Sequence, residues 1–90
     1  MKILVTGSAG FIGYHLVENL LNNIKNTVIG VDSINGYYST KIKKLRIKIL
    51  KRKKNFIFKK INLENKKKLE ITIKKFLPDA WVSKKEVNAK

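Results

Sequence analysis

The chain has no cysteine, so disulfides and thiolate metal sites are excluded and nothing ties it to an oxidising compartment. Proline, tryptophan, methionine and histidine occur once each, and acids number six against 21 lysines and arginines. A single histidine, His15, with no cysteine beside it cannot assemble a zinc site, and it reads as a structural helix residue. No apolar run approaches the roughly 20 residues of a membrane span. The apolar start is too short for a signal peptide and turns at once into glycines. These absences predict a cytoplasmic chain with no membrane partner. Ninety residues allow one domain, burying about 60–65% of the surface that the unfolded chain exposes.

The charge is uneven. Through Gly36, Lys2 and Lys25 are balanced by Glu18 and Asp32. The whole excess of +15 therefore lies in residues 37–90, which hold 19 bases and four acids. Its densest part, KIKKLRIKILKRKK (residues 41–54), reads as a basic helix with Ile42, Leu45, Ile49 and Leu50 roughly on one face. Two readings fit: a sheet-covering helix with a lysine-rich solvent face, or a module for nucleic acid or an anionic membrane surface. No aromatic is interleaved with the lysines, which weighs against a stacking platform for single strands and favours the solvated face.

What the chain does have is a glycine cluster, Gly7, Gly10 and Gly13, placed directly after the apolar run Ile3, Leu4 and Val5. That run suits a strand buried on both faces. Beyond Gly13 the period changes, with Leu16, Leu20, Leu21 and Ile24 on one helical face. Strand, glycine-rich turn and helix is the context in which such glycines bind a dinucleotide. Gly7 would let the chain turn off the strand, Gly10 would leave room for a pyrophosphate, and Gly13 would let helix and strand pack closely. The helix N-terminus would offer its unpaired N–H groups to the phosphates. A second buried strand, TVIGVD, ends in Asp32, 19 positions after Gly13. A carboxylate there accepts hydrogen bonds from ribose hydroxyls and repels a 2′-phosphate, favouring NAD over NADP. No arginine lies near Asp32 along the chain to reverse that preference.

The stretch VTGSAGFIGYHLVENLL resembles the opening of the extended short-chain dehydrogenase/reductases, with glycines spaced Gly-x-x-Gly-x-x-Gly. VDSINGYYSTKIKKLR narrows the resemblance to the nucleotide-sugar epimerases, whose acid is followed by Asn-x-Asn-x-Tyr-Tyr, and is most similar to UDP-glucuronate 4-epimerases. Members of that family bind NAD, oxidise C4 of a UDP-sugar, let the ketone rotate and return the hydride to its other face. The resemblance implies that the backbones of Phe11 and Ile12 meet the pyrophosphate, and that Asp32 and Asn35 hold the adenosine ribose. It places Asn62 and Leu63 beside the adenine, with Asn62 replacing the family's usual acid and Ser33 its usual asparagine.

The resemblance covers residues 1–82, and the tail SKKEVNAK (83–90) diverges from it. The family's catalytic Ser/Thr and Tyr-x-x-x-Lys pair are absent from these 90 residues. Tyr37 and Lys41 reproduce that spacing, but they follow the second strand by a few residues and so belong at the adenosine end, away from the nicotinamide. The expectation is an NAD-binding part of a nucleotide-sugar epimerase, truncated and inactive alone, with UDP-sugar bound only by a full-length parent. A basic binding module and a remnant that does not fold stably stand as alternatives.

The predicted elements are strand 2–6, helix 11–23, strand 27–31, loop 32–37, helix 38–53, strand 56–60, helix 66–76 and strand 79–82. Alternating strands and helices imply a partial Rossmann fold, a four-stranded parallel sheet ordered 3-2-1-4. Pro78 should stop the third helix before the last strand. Phe56, Phe58 and Trp81 are expected in the core.

Overall fold

The computed structural model describes residues 1–34 and 40–82. Its elements alternate: β1 (Lys2–Thr6), α1 (Phe11–Leu21), β2 (Thr27–Asp32), α2 (Thr40–Leu50), β3 (Phe56–Lys60), α3 (Lys66–Phe76) and β4 (Ala80–Val82). The strands form one parallel sheet ordered β3-β2-β1-β4, as the sequence predicts.

Strand pleating divides the apolar residues between two cores. Ile3, Val5 and Val28 join Val17 and Leu21 of α1 and Ile47 and Leu50 of α2 on one face. Leu4, Ile29, Val31 and Ile61 face the other way and meet Leu69, Ile73 and Phe76, of which the last three belong to α3. β1 and β2 are therefore apolar at consecutive positions because helices cover both of their faces. Phe56 is buried, and Phe58 is partly buried against the first core.

Three expectations about helices need correction. α1 stops at Leu21 rather than residue 23, because Asn23 Oδ1 accepts the Lys25 backbone N–H at 3.0 Å and draws the chain into a turn. Its buried stripe is Gly13, Val17 and Leu21, and Ile24 beyond its end is exposed. α2 ends at Leu50 rather than residue 53, where Arg52 and Lys53 donate to the carbonyls of Ile49 and Leu50 in tighter, three-residue turns. It buries Ile47 and Leu50, whereas Ile42 and Leu45 are exposed.

Trp81 is also corrected: it is 58% exposed. It lies on β4, which pairs with β1 along one side, and no described element covers its ring. α3 ends as expected before Pro78. Leu77 adopts φ 47 and donates its N–H to the Ile73 carbonyl.

Candidate dinucleotide site

Parallel strands end together, so β1, β2 and β3 deliver the glycine-rich turn, Asp32 and the Asn62–Leu63 segment to one end of the sheet. In an open α/β sheet, ligands bind in the crevice outside the carboxyl ends of the strands.

The turn is built by its glycines. Gly7 has φ 71, a left-handed conformation that L side chains rarely adopt, and its N–H donates to the Val31 carbonyl at 2.7 Å. A Cβ at Gly13 would stand 2.1 Å from the Gly7 carbonyl oxygen, so the first turn of α1 can lie against β1's exit only with glycine there. A Cβ at Gly10 would lie 3.3 Å from the same oxygen, a tight contact but not a collision.

The N-terminus of α1 is open. Gly10 is its N-cap, no side chain caps it, and its first turn contains no acid. By contrast, α3 has Asn65 Oδ1 accepting from the Lys68 N–H at 3.2 Å. The uncapped end leaves backbone donors and the positive end of the helix dipole for an anion. Phe11 and Ile12 occupy this first turn with exposed side chains.

Asp32 is buried, 6% exposed, and tied to the turn. Its Oδ2 accepts the Ala9 backbone N–H at 2.9 Å, and its Oδ1 accepts the Ile34 N–H at 2.9 Å. Lys43 Nζ of α2 stands 3.8 Å from Oδ1. A carboxylate offers about four acceptor positions. Among the described residues, both oxygens are thus engaged by backbone N–H groups, with the Lys43 ammonium beside Oδ1. Ile34 has φ 57, a strained conformation for a β-branched residue that the bond to Asp32 helps to hold.

Asn62 and Leu63 are exposed just past β3. Asn62 Oδ1 accepts the Glu64 N–H at 3.0 Å, so this amide shapes the turn into α3. Asn35 and Tyr37 lie outside the described residues, as does the 83–90 tail. Lys41 is exposed at the start of α2. His15 is exposed, 3.9 Å from Glu18, and no cluster of metal-ligating side chains occurs among the described residues. No helix among them is long and apolar enough to cross a membrane.

Three participants were not legible in the sequence. Arg46 of α2 donates from Nη1 to the Ala9 carbonyl at 3.0 Å, so the fold brings an arginine to the turn although none neighbours Asp32 along the chain. Gly30, inside β2, makes room for its neighbours, because a Cβ there would lie 2.8 Å from both the Phe56 ring and Ser8 Oγ, which would have to shift. Ser8 Oγ is buried with no hydrogen-bond partner among the described residues. The basic, apolar spacing of α2 gives a signal for Arg46 only after its buried side is known.

Residues 4–82 match the family model described as GDP-mannose 4,6 dehydratase. The chain is 55% identical over 65 residues to Protein CapI of Staphylococcus aureus, covering 72% of this chain and 19% of that protein. It is 45% identical over 62 residues to a UDP-glucuronate 4-epimerase of Thermodesulfobacterium geofontis, covering 69% of this chain and 19% of the relative. The chain thus spans about a fifth of the length of these relatives. Among solved structures, the UDP-glucuronic acid 4-epimerase of Bacillus cereus in complex with UDP-glucuronic acid and NAD superimposes with a TM-score of 0.83. That alignment is 34% identical and covers 93% of this chain and 26% of the enzyme. With a family match across most of its length and this structural likeness, the chain belongs to the NAD-dependent epimerase/dehydratase family and corresponds to its N-terminal part.

Proposed function

We propose that these 90 residues bind the ADP half of NAD, and that the function is cofactor binding for nucleotide-sugar epimerisation of the UDP-glucuronate 4-epimerase type. The observation that carries the proposal is the Asp32–Ala9 hydrogen bond, which sets a buried carboxylate beside the uncapped N-terminus of α1. Asp32 and Asn35 hold the adenosine ribose, the backbones at Phe11 and Ile12 receive the pyrophosphate across Gly10, and Asn62 and Leu63 border the adenine. Gly7 and Gly13 give the turn the shape that this arrangement needs.

NAD supplies a hydride acceptor when bound. The residues of this chain bind and orient it. Turnover of a UDP-sugar belongs to a protein that also contains the family's catalytic residues. The similarity of the chain to an epimerase solved with NAD and UDP-glucuronic acid supports this assignment.

Thermal unfolding of the chain with and without NAD tests it. With a dissociation constant near 1 mM, 10 mM NAD adds about 1.4 kcal/mol of stability. A folded chain whose melting temperature does not respond to NAD would refute the proposal.

A further inference from the structure

Ala9 is fully buried, and the peptide groups on both sides of it are held. Its N–H donates to Asp32 Oδ2 at 2.9 Å, and its carbonyl accepts from Arg46 Nη1 at 3.0 Å. The next N–H, that of Gly10, donates to the Gly7 carbonyl at 3.0 Å. The Ala9–Gly10 peptide plane is therefore fixed at its oxygen by α2 and at its nitrogen by the turn itself. α1 begins immediately afterwards, at Phe11.

The Arg46 guanidinium has a second contact, with its carbon 5.9 Å from the centroid of the Phe11 ring. Phe11 is 66% exposed, so this ring does not owe its position to the core. One planar group thus bonds the Ala9 carbonyl and lies near the ring of the first residue of α1. Arginine can make both contacts because its fork of donors is rigid and its plane stacks on aromatic faces. Lysine offers a point charge on a flexible stem and cannot reproduce the pair. The side chain is only partly buried, so it is not needed to fill the core. Asp32 holds the turn from β2, and Arg46 holds it from α2.

We propose that Arg46 is a positioning residue that clamps the Ala9–Gly10 peptide, and so aims the N-terminal amides of α1 at the phosphates of the cofactor. The inference rests on the NAD-binding reading above for its ligand, but the clamp is a property of the free chain. Arg46 acts through the turn and not on the adenosine, which the end of β2 serves.

The test uses the 90-residue chain and two substitutions. Arg46→Met keeps an apolar stem and removes the donors, whereas Arg46→Lys keeps the charge. Amide exchange at Gly10, read by NMR in the free chain, should accelerate roughly tenfold in Arg46→Met, as expected when a hydrogen bond to a charged group is lost. ADP affinity should fall roughly tenfold while adenosine affinity stays unchanged. Arg46→Lys should leave Gly10 exchange fast and ADP binding weak.

Unchanged Gly10 exchange in Arg46→Met would overturn the clamp. An equal loss of ADP and adenosine binding would also overturn it, by showing general destabilisation. Full recovery of ADP binding in Arg46→Lys without recovery of Gly10 protection would assign the effect to charge alone and overturn positioning. A native chain that bound neither ADP nor NAD would refute the cofactor reading, and Gly10 exchange would still decide the clamp.

Discussion

Asp32 Oδ2 and the Ala9 backbone N–H are 2.9 Å apart, so the acid that ends β2 is a strut of the turn that follows β1. The same carboxylate also accepts the Ile34 N–H, joining the turn after β1 to the exit of β2 at one buried group. A residue proposed to hold ribose hydroxyls is thus also part of the scaffold that forms the phosphate site.

Removal of the Asp32 side chain should therefore cost stability before any cofactor is added. Asp32→Ala leaves the Ala9 and Ile34 N–H groups without their acceptor, at roughly 1–3 kcal/mol for each buried group left unpaired. The expected outcome in urea is a lower midpoint, with a loss of about 2–4 kcal/mol. Asp32→Asn keeps one oxygen and should lose about half as much. Cofactor preference is best read in this milder variant, where NAD affinity should fall roughly tenfold and NADP affinity should fall less, because the 2′-phosphate is no longer repelled.

Gly10 and Gly13 should separate on substitution by alanine. At Gly13 the new methyl meets the Gly7 carbonyl oxygen at 2.1 Å, and backbone must move. Gly13→Ala should cost about 3 kcal/mol or more, and circular dichroism should show a largely unfolded chain. At Gly10 the corresponding distance is 3.3 Å and the backbone is extended, with φ −74 and ψ 167. Gly10→Ala should keep the fold, with a midpoint within about 1 kcal/mol of the native chain, and lose NAD-dependent stabilisation.

Ser8 should be improvable. Its hydroxyl is buried against Gly30 without a partner among the described residues, and an unsatisfied buried polar group costs roughly 1–3 kcal/mol. Ser8→Ala removes the hydroxyl and should raise stability by about 1 kcal/mol, read as a higher urea midpoint with an unchanged slope.

The sheet was legible because its cause is local. Ile3-Leu4-Val5 and Val28-Ile29 are consecutive apolar residues, which is the pattern a strand needs when helices cover both of its faces. Gly7 and Gly13 were legible because their spacing joins a strand to a helix, and the geometry at φ 71 and 2.1 Å gives the physical reason. What the sequence hid came from tertiary contact. Along α2, Ile42, Leu45 and Leu50 look like the buried side, yet only Leu50 of these is buried, and the helix turns Ile47 inward and sends Arg46 to Ala9. Trp81 looks like a core residue from its chemistry, but core status depends on a covering neighbour, and Trp81 is exposed while Ala80 and Val82 beside it are half-buried. Asp32 was legible as an acid at a strand end, and its two backbone partners were not, because one of them is 23 residues away.

The most direct measurement is an NMR titration of the 90-residue chain with NAD, following backbone amides residue by residue. The account expects the largest shifts at Gly10, Phe11 and Ile12, with a second group around Asp32, all saturating with one dissociation constant. Shifts confined to the exposed lysine face of α2, at Lys41, Lys44 and Lys48, with the glycine-rich turn unmoved, would contradict it.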